Sequence, residues 1–115
     1  MVSTFAYEVR GEEMNQAAGQ PILPGAIATC LSFDELNKPI AEGEIYVFTR
    51  AFDGGSTVET RMGRAHVFND RTELVPESSN RSLRPVTYPS KDGADGVVTI
   101  LGLVYGIHYP VGRFA

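Results

Sequence analysis

Few residues in this chain are of types that do chemistry, and their spacing decides what they could do. Glu12 and Glu13 are adjacent carboxylates ahead of Met14. Two lysines, Lys38 and Lys91, lie in a polar stretch and a Gly/Asp-rich stretch, where solvated side chains are expected. His66, His108 and the single cysteine, Cys30, are far apart in sequence and form no HxH or HExxH pattern, so no metal is expected. Ser78-Ser79 offers hydroxyls without the GxSxG elbow that would activate one. Asp92-Gly93-Ala94-Asp95-Gly96 begins like a calcium loop but lacks its third acidic position and distal Glu, so it reads as a turn. Gly54-Gly55 has no GK[ST] and no helix after it, so it is not a phosphate loop. No cofactor is expected from any of these patterns.

Composition narrows the setting. At 115 residues the chain is one domain, residues 1–115 throughout, and 43% apolar content is that of a folded core rather than a disordered segment. Net charge is −4 and the arginines are scattered, which argues against direct nucleic-acid binding. The longest apolar run, Val97 to Tyr109, is broken by glycine and too short to span a membrane. The N-terminus lacks a charged-then-apolar signal pattern. One cysteine cannot make an internal disulfide, which fits a reducing cytoplasm, and Cys30 lies in an apolar run that would bury it.

The elements that must position these groups are short strands. Residues Glu42 to Gly63 carry the strongest pattern: alternation through Ile45, Val47 and Ala51, then Asp53-Gly54-Gly55-Ser56, then Thr57 to Met62. That is a strand, a turn rich in residues that accept positive φ, and a returning strand. Thr4 to Arg10 and Ala26 to Phe33 read as further strands around a Pro24-Gly25 turn. Asp34 to Lys38 reads as one helical turn stopped by Pro39. Ala65 to Phe68 and Thr72 to Pro76 are two short strands, and Val86 to Pro89 adds an extended piece. Val97 to Tyr109 is one long strand in which Gly102 and Gly106 mark a bend or bulge. The pattern predicts an all-β fold of Greek-key or barrel character.

The order of landmarks resembles the C-terminal domain of LexA-like and phage-repressor-type serine peptidases, a family related in fold to signal peptidase. Val9-Arg10-Gly11-Glu12-Glu13-Met14 looks like the family's Val-x-Gly-x-Ser-Met entry motif. Pro24-Gly25 stands where the family has an Asp-Gly-Asp turn, and Glu42 to Val47 looks like its next Gly-containing turn into a strand. Val58 to Met62 looks like its Val-Lys-Arg-Leu strand. Leu74-Val75-Pro76-Glu77-Ser78-Ser79-Asn80 is similar to Leu-x-Pro-x-Ser-x-Asn, and Ile100 to Gly106 to the closing Ile-Gly-Arg-Val-x-Gly strand. The resemblance implies a partly open barrel of short antiparallel strands.

The family's chemistry needs a serine nucleophile and a neutral lysine to take its proton. Here the serine position is Glu13, and the lysine position is Glu59 or Thr60. The family's small-residue–Gly cleavage bond, expected some tens of residues upstream of the serine, also has no counterpart among the twelve residues before Glu13. The expectation is a retained fold without peptidase activity. By resemblance, the domain would join protomers into dimers or higher oligomers. It would reach operator DNA only through an upstream helix-turn-helix, and an antirepressor protein would release it. Two competing readings are an active autopeptidase with its dyad elsewhere and a stand-alone protein-binding β-domain. Tyr105, Ile107, Tyr109 and Val111 fall on one face by alternation, and that face is expected either to join two copies or to pack in the chain's own core.

Overall fold

The computed structural model describes residues 1–90 and 96–110. Among the described residues there are seven strands: β1 (Thr4–Glu8), β2 (Ile27–Ser32), β3 (Ile45–Phe52), β4 (Thr57–Val67), β5 (Thr72–Val75), β6 (Val86–Tyr88) and β7 (Val97–His108). One short helix, α1 (Phe33–Leu36), follows β2 and ends where Asn37 turns left-handed, two residues before Pro39. All strand pairings are antiparallel, in one sheet of order β1-β2-β7-β3-β4-β5-β6. β1 and β6 stand at its two ends, so the sheet stays open. The all-β class is the one the strand-and-turn pattern predicts, and the unclosed sheet is consistent with the partly open barrel that the resemblance implies. No helix among the described residues is long and apolar enough to cross a membrane.

The β3–β4 hairpin forms where the alternation places it, with Phe52 opposite Thr57. Its turn needs three successive positive φ values, 53° at Asp53, 67° at Gly54 and 93° at Gly55; the two glycines adopt theirs without a Cβ clash, and Asp is a residue type that tolerates the left-handed region. β4 does not end at Met62 but runs on to Val67, absorbing the separate short strand expected at Ala65. Gly63 makes this possible, because a Cβ there would lie 3.0 Å from the Leu74 carbonyl carbon on β5. It marks a close approach of two strands rather than a strand end.

The period of two sorts side chains into two cores, one on each side of the sheet. Val47, Met62, Val104, Ala28 and Cys30 form the first, covered by Val9, Met14, Ala17 and Ile22 from the β1–β2 connection. Tyr46, Phe48, Ala65, Leu74, Val98 and Ile100 form the second, with Phe33 of α1 packed against it.

β7 carries two bulges. The register against β3 skips Leu101 beside Gly102, and the register against β2 skips Tyr105 beside Gly106. The second bulge corrects the expectation that Tyr105, Ile107 and Tyr109 share a face. Ile107 and Tyr109 pack against the first core, whereas Tyr105 is 55% exposed. The Tyr109 hydroxyl is further fixed by accepting the Leu23 N–H at 3.0 Å. One unpaired residue shifts the alternation by a position, so residues on either side of it change face. Val111 lies outside the described residues.

Candidate functional site

The site is built on the long connection between β1 and β2. Its base is closed by Val9 N–H donating to Ala26 O at 2.9 Å and Gly25 N–H donating to Val9 O at 2.8 Å. Within it, the Met14 carbonyl accepts from Ala17 N–H at 3.1 Å and Ile22 N–H at 3.0 Å, so the chain wraps around one residue. Met14 is buried in the first core and acts as the anchor. Its neighbour Glu13 is thereby held at the rim of that core.

A second clamp joins the connection to residues 77–79. Gln16 N–H donates to Glu77 O and Glu77 N–H donates to Glu13 O, each at 2.8 Å. Asn15 and Ser79 exchange two hydrogen bonds of 2.8 and 2.9 Å. The Glu77 carboxylate accepts from Ala18 N–H at 3.1 Å and from Arg64 Nε at 3.0 and 3.1 Å. Arg64 also donates to Gly43 O at 2.7 Å and Ala18 O at 3.3 Å. One ion pair thus ties β4, the turn before β3 and the β1–β2 connection together.

These elements enclose an open cleft of about 680 Å³. Ala6, Tyr7 and Glu8 of β1 form one wall, Glu59, Thr60 and Arg61 of β4 another, and Gly11 to Glu13 the floor. β1 is first in the strand order and β4 fifth, so a cleft lined by both requires the sheet to curl toward itself. That curl brings together Glu13, Glu59 and Thr60, the three positions that the resemblance matches to the dyad.

Glu13 is 5% exposed, and a Cβ on Gly11 would run into its Oε2. Burial raises the Glu13 carboxyl pKa above its ordinary value. The residue's own backbone N–H and the charge of Arg61 oppose the rise, and Glu59 and Glu12 add to it. Tyr7 is pushed up to about 12, by burial first and then by the Glu13 charge. Glu59 accepts from Arg50 Nη1 at 3.2 Å and forms an ion pair with Arg61 Nε at 2.8 Å, so its charge is already met by two guanidiniums.

The described lining contains no serine, lysine, cysteine or histidine. Lys38 is exposed beyond α1, and Lys91 lies outside the described residues. Among the described residues, the lining offers neither the serine nor the lysine of such a dyad. A buried carboxyl of raised pKa can hold a proton, or can face a cation that arrives from outside.

The remaining candidates serve the fold. Cys30 is fully buried and burial pushes its thiol up to about 11. Ser78 Oγ accepts the Asn80 N–H at 3.0 Å, which is turn chemistry. His66 Nδ1 lies 3.1 Å from Glu42 Oε2 on a half-exposed surface. Among the described residues no three or more His, Cys, Asp or Glu side chains are grouped to hold a metal ion. The loop from Asp92 to Asp95 lies outside the described residues.

Sequence reasoning missed Glu77, Arg64 and Arg61. Glu77 reads as part of a turn-rich loop, and its only signal is its place inside the Leu-x-Pro-x-Ser-x-Asn-like segment. No family model matches the chain, and no curated protein matches its sequence.

Proposed function

We propose that this chain is the oligomerisation and regulatory domain of a cytoplasmic phage- or prophage-type transcriptional repressor, with self-cleavage lost. One observation carries the reading. The two positions matched to the nucleophile and the base converge on one cleft, and they are filled by Glu13 and by Glu59 or Thr60. The two positions come from elements far apart in sequence, and the fold sets them on the same cleft, as the resemblance requires. The open antiparallel sheet and the long β1–β2 connection agree with the same reading.

In this reading the domain holds copies together, and a helix-turn-helix elsewhere on the polypeptide grips DNA with raised effective concentration. A repressor that cannot cut itself is released by a protein that binds this domain. Of the contact candidates on β7, Tyr105 is the one left exposed among the described residues, while Ile107 and Tyr109 serve the core.

The test is intact-mass measurement of the chain, together with its upstream sequence, after incubation at alkaline pH. Alkaline pH neutralises a lysine base and speeds serine–lysine self-cleavage. The reading expects an intact polypeptide. A time-dependent break upstream of Glu13 overturns it.

A further inference from the structure

We propose that the cleft is a receptor for an extended segment of a partner protein carrying a lysine or arginine, whose cationic head seats against Glu13. The inference deepens the binding role proposed above and rests on it. Three independent observations lead to it.

The first is backbone. β1 has β2 on one side and no strand on the other among the described residues. Ser32 N–H donates to Ser3 O and Val9 N–H to Ala26 O, so the odd-numbered residues of β1 face β2 and Ala6 turns its N–H and C=O outward. β4 pairs with β5 only from Arg64 onward, which leaves the half around Thr60 with β3 alone. Ala65 N–H donates to Glu44 O and its C=O accepts from Gly43 N–H, so odd residues of β4 face the β3 side and Thr60 faces away. Ala6 and Thr60 both line the cleft. Both walls therefore offer strand-edge hydrogen-bonding groups, which an extended peptide satisfies by adding as a strand.

The second is Glu13. It is 5% exposed, and among the described residues no other residue donates a hydrogen bond to its carboxylate, which takes its own backbone N–H. Arg61, whose charge acts on Glu13, holds its Nε 2.8 Å from Glu59 Oε1 instead. A buried carboxylate without a paired cation is costly, and an incoming ammonium or guanidinium relieves that cost.

The third is the balance of charge and shape. Glu12 and Glu13 line the cleft beside Arg10, while Glu59 and Arg61 on the β4 wall meet each other. Tyr7 and Leu83 line it too and give the apolar stem of a lysine or arginine a surface to lie on. A second copy of this chain would bring a net charge of −4 toward that lining, so a basic segment of a different protein fits better.

The experiment uses the whole chain and two short fluorescent peptides of alternating valine and threonine. One has lysine at its centre and the other norleucine, which keeps the stem and removes the charge. Fluorescence polarisation is expected to show the lysine peptide binding at least roughly tenfold more tightly, with the preference shrinking as salt is raised. Glu13→Gln is expected to bring the lysine peptide down to the norleucine level. Equal binding of the two peptides, binding of neither, or a preference that survives Glu13→Gln in a folded variant overturns the inference. Sedimentation of the same samples separates the two claims. A self-associating chain that binds no peptide refutes the receptor alone, and a monomeric chain refutes the oligomerisation reading.

Discussion

Replacing Glu77 with alanine should loosen the site and the fold together. Its carboxylate accepts from Ala18 N–H and from Arg64 Nε, which together tie the Glu13-bearing connection to β4. A hydrogen bond to a charged group is worth about 1.5–3 kcal/mol. The two side chains of the ion pair keep 20% and 23% exposure, so solvent screens part of that. Arg64 would also keep its bonds to the carbonyls of Gly43 and Ala18. The loss is therefore toward the lower end, roughly 2–3 kcal/mol for the two interactions combined. With an m-value of about 1–3 kcal/mol/M in urea, the midpoint should fall by roughly 0.7–3 M with m unchanged. Glu77→Gln should recover part of this, because the amide oxygen still accepts a hydrogen bond. Arg71→Ala, which removes exposed contacts to Asp70 and Glu73, should leave the midpoint nearly where it was. A Glu77→Ala midpoint as little changed as that of Arg71→Ala would refute the clamp.

Other outcomes follow from burial. Glu13 has a folded-state pKa raised above 4.5 by burial, so its contribution to stability is fully present below pH 4.5 and is lost as pH rises through the higher folded value. Glu13→Gln should therefore match the parent in acid and exceed it in urea midpoint near neutrality, and parallel midpoints at every pH would contradict this. Cys30, buried with its thiol pushed up to about 11, should resist Ellman's reagent in the native chain and react at once in urea. Ile107→Glu should cost about 2 kcal/mol or more, because it puts a charge against the first core, while Tyr105→Glu should stay within about 0.5 kcal/mol. Urea titrations of the two variants check that contrast.

The strands were legible because alternation and turn chemistry are local. Asp53-Gly54-Gly55 announces its hairpin, and the apolar run after Gly96 announces β7. Two features escaped for one reason, which is that both depend on a neighbouring strand. Gly63 looks like a strand end until Leu74 is seen lying over it. Tyr105 looks in phase with Ile107 until β2 pairs Val104 with Cys30 and Gly106 with Thr29, leaving Tyr105 out of the ladder. At the site, no pattern in the residues themselves joins Glu13 to Glu59 or Thr60, which are separated by more than forty positions. The resemblance alone placed them together, and the cleft does contain all three. Glu77 was not legible, since an acidic residue in a polar loop carries no sign of the arginine it will meet.

Sedimentation equilibrium of the purified chain over a range of concentrations shows whether copies of this domain associate. A reversible dimer or higher oligomer is expected, and Tyr105→Glu tests whether β7 contributes to the contact. A chain that stays monomeric throughout would contradict the oligomerisation reading.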